Sequence, residues 1–169
     1  MQEKITEFII TDKIESKLKN KNNLKKELGE GKTAQEILGF SMQTMAKFYR
    51  AASHLFELKR YGDAANAFLF LVSLNSANPD YWIGLGMSTQ LSGNFDDAID
   101  AYEMAAICEV NNPVPYFCLA KCFFAIHDRD SALQALDMTI EYASDKDEYS
   151  PILIQAKAAR ESLINASFG

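Results

Sequence analysis

Cysteine and histidine side chains late in the chain offer the clearest potential for chemistry. Cys118 and Cys122 are four residues apart, which places both thiols on one side of a helix, and His127 follows them. A zinc ion takes nitrogen and sulfur ligands of this kind, usually four of them. No second cysteine or histidine pair completes such a set, so we expect no metal. The favoured interpretation is buried, reduced structural thiols.

The other titratable residues do not form a catalytic pattern. His54 and His127 are isolated from each other and from partner groups in the sequence. Asp96, Asp97 and Asp100 fall in the first turns of a predicted helix, where the helix dipole favours carboxylates. The chain has no glycine-rich phosphate loop and no nucleophile motif. We therefore expect neither an enzyme nor a bound cofactor.

Aromatic and small residues instead recur with a period of 34 residues. Phe48, Trp82 and Tyr116 are the aromatic members of this series. Small residues follow at the two positions where paired helices would approach closely. These are Ala52, Gly86 and Ala120 on the first helices and Ala64, Ala98 and Ala132 on the second helices. This period and spacing are typical of tetratricopeptide (TPR) repeats.

The same period appears in the residues that begin helices. Asn78-Pro79 and Asn112-Pro113 are 34 residues apart, and each pairs a preferred N-cap residue with proline at the first helical position. The sequence therefore predicts three helical hairpins, at about 45–78, 79–112 and 113–146. The predicted fold is all-α, a right-handed superhelix of three TPR hairpins with N-terminal helices and a C-terminal capping helix.

The predicted repeat domain, residues 33–169, is closed at both ends by further helices. Thr33 and Glu36 fit a capping box that begins a short helix ending at Gly39. At the other end, Ser150 is expected to cap a helix over residues 151–166 that covers the last apolar face of the stack.

Residues 1–32 are predicted to form a separate helical arm. A helix over residues 3–19 would end in the polar stretch 19–23, with weak continuation to Gly29. Its apolar side chains must be buried either on the chain's own repeats or on a second copy, and we leave both open. The candidate dimerisation residues are Ile5, Phe8, Ile9, Ile10, Ile14 and Leu18.

Charge and hydropathy exclude several classes of partner. The net charge is −6 and the isoelectric point is about 4.9, which argues against binding to nucleic acid or to an anionic membrane. No apolar run approaches the roughly 20 residues that a membrane-spanning helix needs, so we expect no stable membrane insertion. The N-terminus lacks a basic region before its apolar residues, so we expect no signal peptide and a cytoplasmic location.

The first helix of each predicted hairpin should line the concave face of the stack. Side chains one, five and eight positions after Phe48, Trp82 and Tyr116 should point into it. Six of these nine are apolar, and an apolar concave surface usually marks a binding site. The nine predicted groove residues are Tyr49, Ser53, Phe56, Ile83, Met87, Gln90, Phe117, Lys121 and Phe124.

Such a groove suits an extended peptide with spaced apolar anchors, whose backbone could bond to the polar members Ser53, Gln90 and Lys121. The alternative is that the chain's own N-terminal helix or capping helix fills the groove.

Over about residues 30–143, the chain resembles the class II translocator chaperones of bacterial type III secretion systems. The resemblance is carried by four segments in order: GKTAQEILG, RYGDAANAF, YWIGLGMSTQLSGNFDDAIDAYEMAA and NPVPYFCLAKCFFAIHDRDSALQALDMTI. It implies a bacterial cytoplasmic chaperone that keeps hydrophobic translocator proteins soluble and secretion-competent. It further implies that an extended cargo segment binds in the concave groove and that the arm can form a homodimer. The alternative function is a generic TPR adaptor that joins folded partners.

Overall fold

The structure, a computed structural model, describes residues 12–166, and within that range all regular structure is helical. The helices are α1 (Asp12–Lys19), α2 (Lys21–Gly29), α3 (Ala34–Leu38), α4 (Met42–Glu57), α5 (Tyr61–Leu74), α6 (Pro79–Leu91), α7 (Phe95–Cys108), α8 (Pro113–Ala125), α9 (Arg129–Ala143) and α10 (Ser150–Asn165). A 3₁₀ turn at Asp147–Tyr149 precedes α10. Three packed pairs, α4–α5, α6–α7 and α8–α9, confirm the predicted all-α fold of TPR-like hairpins.

Local sequence explains where these helices begin. The side chains of Asn78 and Asn112 accept hydrogen bonds from the backbone two residues later, and proline follows each of them. At α3 the capping box is complete, because Thr33 accepts from the Glu36 backbone and Glu36 accepts from the Thr33 backbone. Gly39 ends α3 in the left-handed conformation that glycine adopts without a steric penalty.

The small residues of the repeat pattern do lie at close helix contacts. Ala52, Ala64, Ala98 and Ala132 have no exposed surface. A Cβ atom added to Gly86 would lie 2.6 Å from Cε1 of Tyr102, a fully buried side chain on the paired helix. Because position 86 has no side chain, the backbone of α6 can lie directly against the Tyr102 ring of α7.

Three helix starts differ from the sequence prediction. Helix α4 begins at Met42 rather than near residue 45, because Ser41 accepts from the Thr44 backbone and acts as the N-cap. The weak continuation before Gly29 is a helix of its own, α2, which Asn20 caps. Ser150 is the first residue of α10 rather than its cap, and its hydroxyl donates to the Asp147 carbonyl of the preceding turn.

The described part of the N-terminal arm packs against the start of the repeats. Helices α1 and α2 contact α3, and the Lys17 ammonium donates to the Ile37 carbonyl at 2.7 Å. Ile14 is half-buried and Leu18 is 44% exposed. The other candidate dimerisation residues, Ile5, Phe8, Ile9 and Ile10, lie outside the described residues.

Helix α10 covers the end of the stack by packing on α9 and α8. Ala156, at its centre, is fully buried in the core cluster of the third repeat. Among the described helices, none combines the length and the apolar character needed to cross a bilayer.

Candidate functional site

The nine predicted groove residues fall on the first helix of each hairpin. Tyr49, Ser53 and Phe56 lie on α4; Ile83, Met87 and Gln90 lie on α6; Phe117, Lys121 and Phe124 lie on α8. Eight of the nine line two separate cavities, which we call the first pocket and the second pocket. The predicted groove therefore divides into two cavities.

The first pocket lies between α4 and α6 and has a volume of about 190 Å³. Five predicted residues meet there, three from the first repeat and two from the second. Its lining consists of Tyr49, Ser53, Phe56, Glu57, Phe68, Asp80, Ile83, Gly84 and Met87.

Aromatic packing holds the lining of the first pocket in place. The Tyr49 ring lies 5.8 Å from the Phe68 ring and 5.9 Å from the Tyr81 ring, measured between centroids. The Phe56 ring packs edge-on against Tyr61 at 5.4 Å. Burial, and then the Asp80 carboxylate, raise the pKa of the Tyr49 hydroxyl, which stays protonated and can donate a hydrogen bond to a ligand.

Four residues that line the first pocket are absent from the nine predicted groove residues: Glu57, Phe68, Asp80 and Gly84. A Cβ atom on Gly84 would lie 2.2 Å from Cε1 of Phe68, so the bare backbone of α6 rests directly on that ring. This contact joins two successive repeats. The 34-residue period was used to predict contacts within a repeat, so it did not indicate this one. The Tyr-x-x-Gly-x-Gly spacing of residues 81–86 is the signal that could have indicated it.

Gln90 has a different role from the other predicted residues. Its Oε1 atom accepts a hydrogen bond of 2.8 Å from the Tyr102 hydroxyl, and it lines neither pocket. Burial raises the pKa of that hydroxyl, so it remains a donor. Gln90 therefore provides the hydrogen-bond partner of the buried Tyr102 hydroxyl. Leaving that hydroxyl unpaired would lower the stability of the fold.

The second pocket lies between α8, α9 and α10 and has a volume of about 670 Å³. It contains the three predicted residues of the third repeat. Its lining consists of Phe117, Ala120, Lys121, Phe124, Leu136, Gln155, Ala158, Ala159, Ser162, Leu163 and Ala166. The capping helix α10 thus forms one wall of the predicted groove and leaves a cavity there.

The predicted residues of the second pocket differ in exposure. Phe124 is 61% exposed, whereas Phe117 is only 9% exposed. The Lys121 ammonium lies 4.2 Å from the centroid of the Phe117 ring, a cation–π contact that covers part of the ring. Phe117 therefore forms the floor of the pocket, and Phe124 and Lys121 stand at its opening.

Polar contacts fasten α10 over this pocket. The Arg129 guanidinium donates twice to the Leu163 carbonyl in the last turn of α10, at 2.7 and 3.2 Å. Arg160 on α10 forms an ion pair with Asp137 on α9. A guanidinium at a helix C-terminus also interacts favourably with the helix dipole.

The candidate metal ligands are not arranged as a site. Cys122 is fully buried and Cys118 is partly buried, as expected for structural thiols. Burial raises the pKa of the Cys122 thiol to about 11 and also raises that of Cys118, so both remain protonated at neutral pH. His127 is exposed in the turn after α8. Within residues 12–166, no three metal-binding side chains lie close enough together to hold an ion.

Comparison with known proteins gives one family match and a consistent set of relatives. The tetratricopeptide repeat model matches residues 79–112, the second predicted hairpin. The chaperone protein SicA of Salmonella typhimurium is 26% identical over 133 residues, covering 79% of this chain and 81% of SicA. The low calcium response locus protein H of Yersinia pestis is also 26% identical over 133 residues, covering 79% of each chain.

Solved structures agree on the fold. A type III secretion complex from Aeromonas hydrophila superposes with a TM-score of 0.82 at 21% identity, covering 86% of this chain and 97% of the other. PcrH, solved with the chaperone-binding region of PopD, gives a TM-score of 0.75 at 23% identity, covering 76% and 97%. Among these proteins SicA is named as a chaperone, and PcrH is bound to a chaperone-binding region of its partner.

Proposed function

We propose that this chain, which is similar in sequence to SicA and in fold to PcrH, performs the task of a type III secretion translocator chaperone. It binds hydrophobic translocator proteins in the bacterial cytoplasm and keeps them soluble until export. The contact is made through an extended segment of the translocator lying along the first helices of the hairpins.

One observation carries this proposal, the first pocket. It brings together five apolar or small polar side chains that the sequence separates by up to 38 positions, from Tyr49 to Met87. Tyr49 is 36% exposed and Met87 is 39% exposed, although both are apolar. Exposed apolar side chains that converge on a concavity usually serve recognition.

The comparisons favour a chaperone over a general adaptor. Both curated relatives cover about four fifths of this chain. PcrH, a structural neighbour, was solved with the chaperone-binding region of PopD. An extended partner segment with apolar anchors would fit a small pocket lined by aromatic rings.

Substitutions in the first pocket test the proposal. Met87→Glu and Phe56→Glu place a carboxylate where an apolar anchor would sit, beside the carboxylates of Glu57 and Asp80. We expect binding of a co-expressed translocator to weaken by about 10- to 30-fold, because buried anchors dominate interface energies. The measurement is the amount of translocator that stays in the soluble fraction and co-purifies.

Ile154→Glu is the matched control, because Ile154 is 69% exposed on α10 and lines neither pocket. It makes the same change of charge and should leave translocator solubility unchanged. Circular dichroism should show the same helix content in all variants. Full retention of the translocator by both pocket variants would refute the proposed function.

A further inference from the structure

The two pockets carry charges of opposite sign. The described lining of the first pocket includes the carboxylates of Glu57 and Asp80 and no basic side chain. The described lining of the second pocket includes one charged group, the Lys121 ammonium. A ligand that entered both pockets would therefore meet negative charge at one end and positive charge at the other.

The second pocket is suited to an apolar side chain with an acidic neighbour. Its floor is Phe117, and small residues on facing helices, Ala120 on α8 and Ala158 and Ser162 on α10, leave the space open. Its volume of about 670 Å³ lies within the common range for ligand pockets, roughly 300–1,000 Å³. Lys121 is exposed at the opening, where it can bond to a carboxylate while the apolar side chain lies deeper.

We propose that the second pocket is a further anchor site for the guest polypeptide, and that the opposite charges of the two pockets fix the direction in which the guest lies. This inference rests on the proposed function. The first pocket takes an apolar side chain next to a basic residue. The second pocket takes an apolar side chain next to an acidic residue.

The arrangement of the helices sets the distance between the two anchors. The first pocket lies between α4 and α6, and the second lies between α8 and α10, two steps further along the series of first helices. Helices that pack directly on each other are roughly 8–10 Å apart. Successive first helices pack mainly on the second helix between them and only marginally on each other, so two steps amount to more than about 20 Å. An extended chain rises about 3.3 Å per residue, so the two anchors should be at least about six residues apart.

Two synthetic peptides of equal composition test the proposed order of the basic and the acidic residue along the guest. The first has Lys-Leu near one end and Leu-Asp near the other, with the leucines about six positions apart and alanine or proline between them. In the second peptide, the lysine and the aspartate are exchanged. Fluorescence polarisation of both labelled peptides against the full chain, at low and at high salt, gives their affinities.

We expect each charged contact to change affinity by up to about fivefold at low salt, because each is an exposed ion pair. One peptide should bind more tightly than the other, and high salt should reduce the difference. Lys121→Met should reduce the difference in affinity between the two peptides, and Lys121→Glu should reduce that difference further. Lys157→Glu is the matched control, since Lys157 is exposed on α10 and lines neither pocket.

A second variant tests the apolar part of the site. Ala158 is exposed in the pocket wall, so Ala158→Trp should fill the cavity without disturbing the core. We expect it to weaken both peptides by about tenfold, because it displaces one of two anchors. The variant's helix content and thermal midpoint show that its fold is intact.

The outcomes separate this inference from the proposed function. Equal affinity for the two peptides, no binding of either peptide, or no effect of Ala158→Trp would overturn the second anchor site. Translocator retention that depends on Met87 would still support the proposed function in those cases. If Lys121→Glu instead lowers the mass of the chain in solution, a second copy occupies the pocket and the inference is wrong.

Discussion

At the scale of single residues, two glycines determine how closely α6 packs. Gly86 faces Tyr102 on its own hairpin, and Gly84 faces Phe68 on the preceding hairpin. Added Cβ atoms would lie 2.6 Å and 2.2 Å from the nearest ring carbons, closer than carbon atoms approach without displacement. Both rings are buried, so neither can turn aside freely.

Gly86→Ala and Gly84→Ala should each destabilise the chain by about 1–3 kcal/mol, because they overpack a close helix contact. For a chain of this size, each kcal/mol corresponds to about 2–4 °C in the thermal midpoint. Gly62→Ala is the matched control, since nothing lies within 4 Å of its Cβ position on α5. It should be neutral or stabilising by up to about 1 kcal/mol. An unchanged midpoint in Gly84→Ala would contradict the packing described here.

These two residues also show how far sequence reasoning extends. Gly86 was predicted because its contact lies within one repeat and therefore follows the 34-residue period. Gly84 was not predicted, because its contact with Phe68 depends on how one hairpin is rotated against the next. For the same reason, the 34-residue period does not indicate that Phe68 lines a pocket.

At the scale of helices, side-chain caps decide most boundaries. Caps followed by proline were predicted correctly at α6 and α8, and the capping box at α3 was confirmed. The prediction was wrong at Ser150, because the turn at Asp147–Tyr149 takes up its hydroxyl. A serine before a proline indicates a helix start, but the preceding residues decide whether that serine acts as the cap.

The cap of α9 should make stability depend on pH. Asp128 accepts a hydrogen bond from the Ser131 backbone, and bonds from Ser131 lower the pKa of the Asp128 carboxyl below its usual value of 3.8. The folded chain therefore gains stability from the ionised carboxylate above the ordinary aspartate pKa. That gain is lost as the pH falls through the lowered value.

Asp128→Asn provides the comparison, because asparagine caps a helix about as well but does not ionise in this range. We expect wild type to be the more stable protein at neutral pH and its advantage to shrink as the pH falls below about 4. Thermal midpoints of both proteins from neutral to acidic pH give the measurement. A constant difference across that range would mean that this cap does not contribute to the pH dependence.

At the scale of the whole molecule, the described arm leaves apolar surface uncovered. Leu18 on α1 and Leu28 on α2 are both close to half exposed, although these helices also pack on α3. The sequence predicted an apolar stripe but could not decide whether the repeats or a second copy covers it. That choice depends on long-range packing, which helical spacing alone does not determine.

We expect the full chain to form a homodimer through this arm. Leu18→Glu, or deletion of residues 1–20, should then halve the mass measured by light scattering, because a buried carboxylate is costly at an apolar interface. Ile154→Glu, the same change on an exposed residue of α10, should leave the mass unchanged. If the wild-type chain is a monomer at micromolar concentration, the arm packs on the repeats of its own chain and the expected dimer is wrong.

The Phe68 ring has a consequence beyond the pocket that it lines. It is 3% exposed, supports the backbone of α6 at Gly84 and at the same time lines the cavity beside Tyr49. A guest side chain pressed against this ring would also tighten the joint between the first two hairpins. Binding of a guest there would couple loading to unfolding thermodynamically, so the empty protein would be the one more readily opened and degraded.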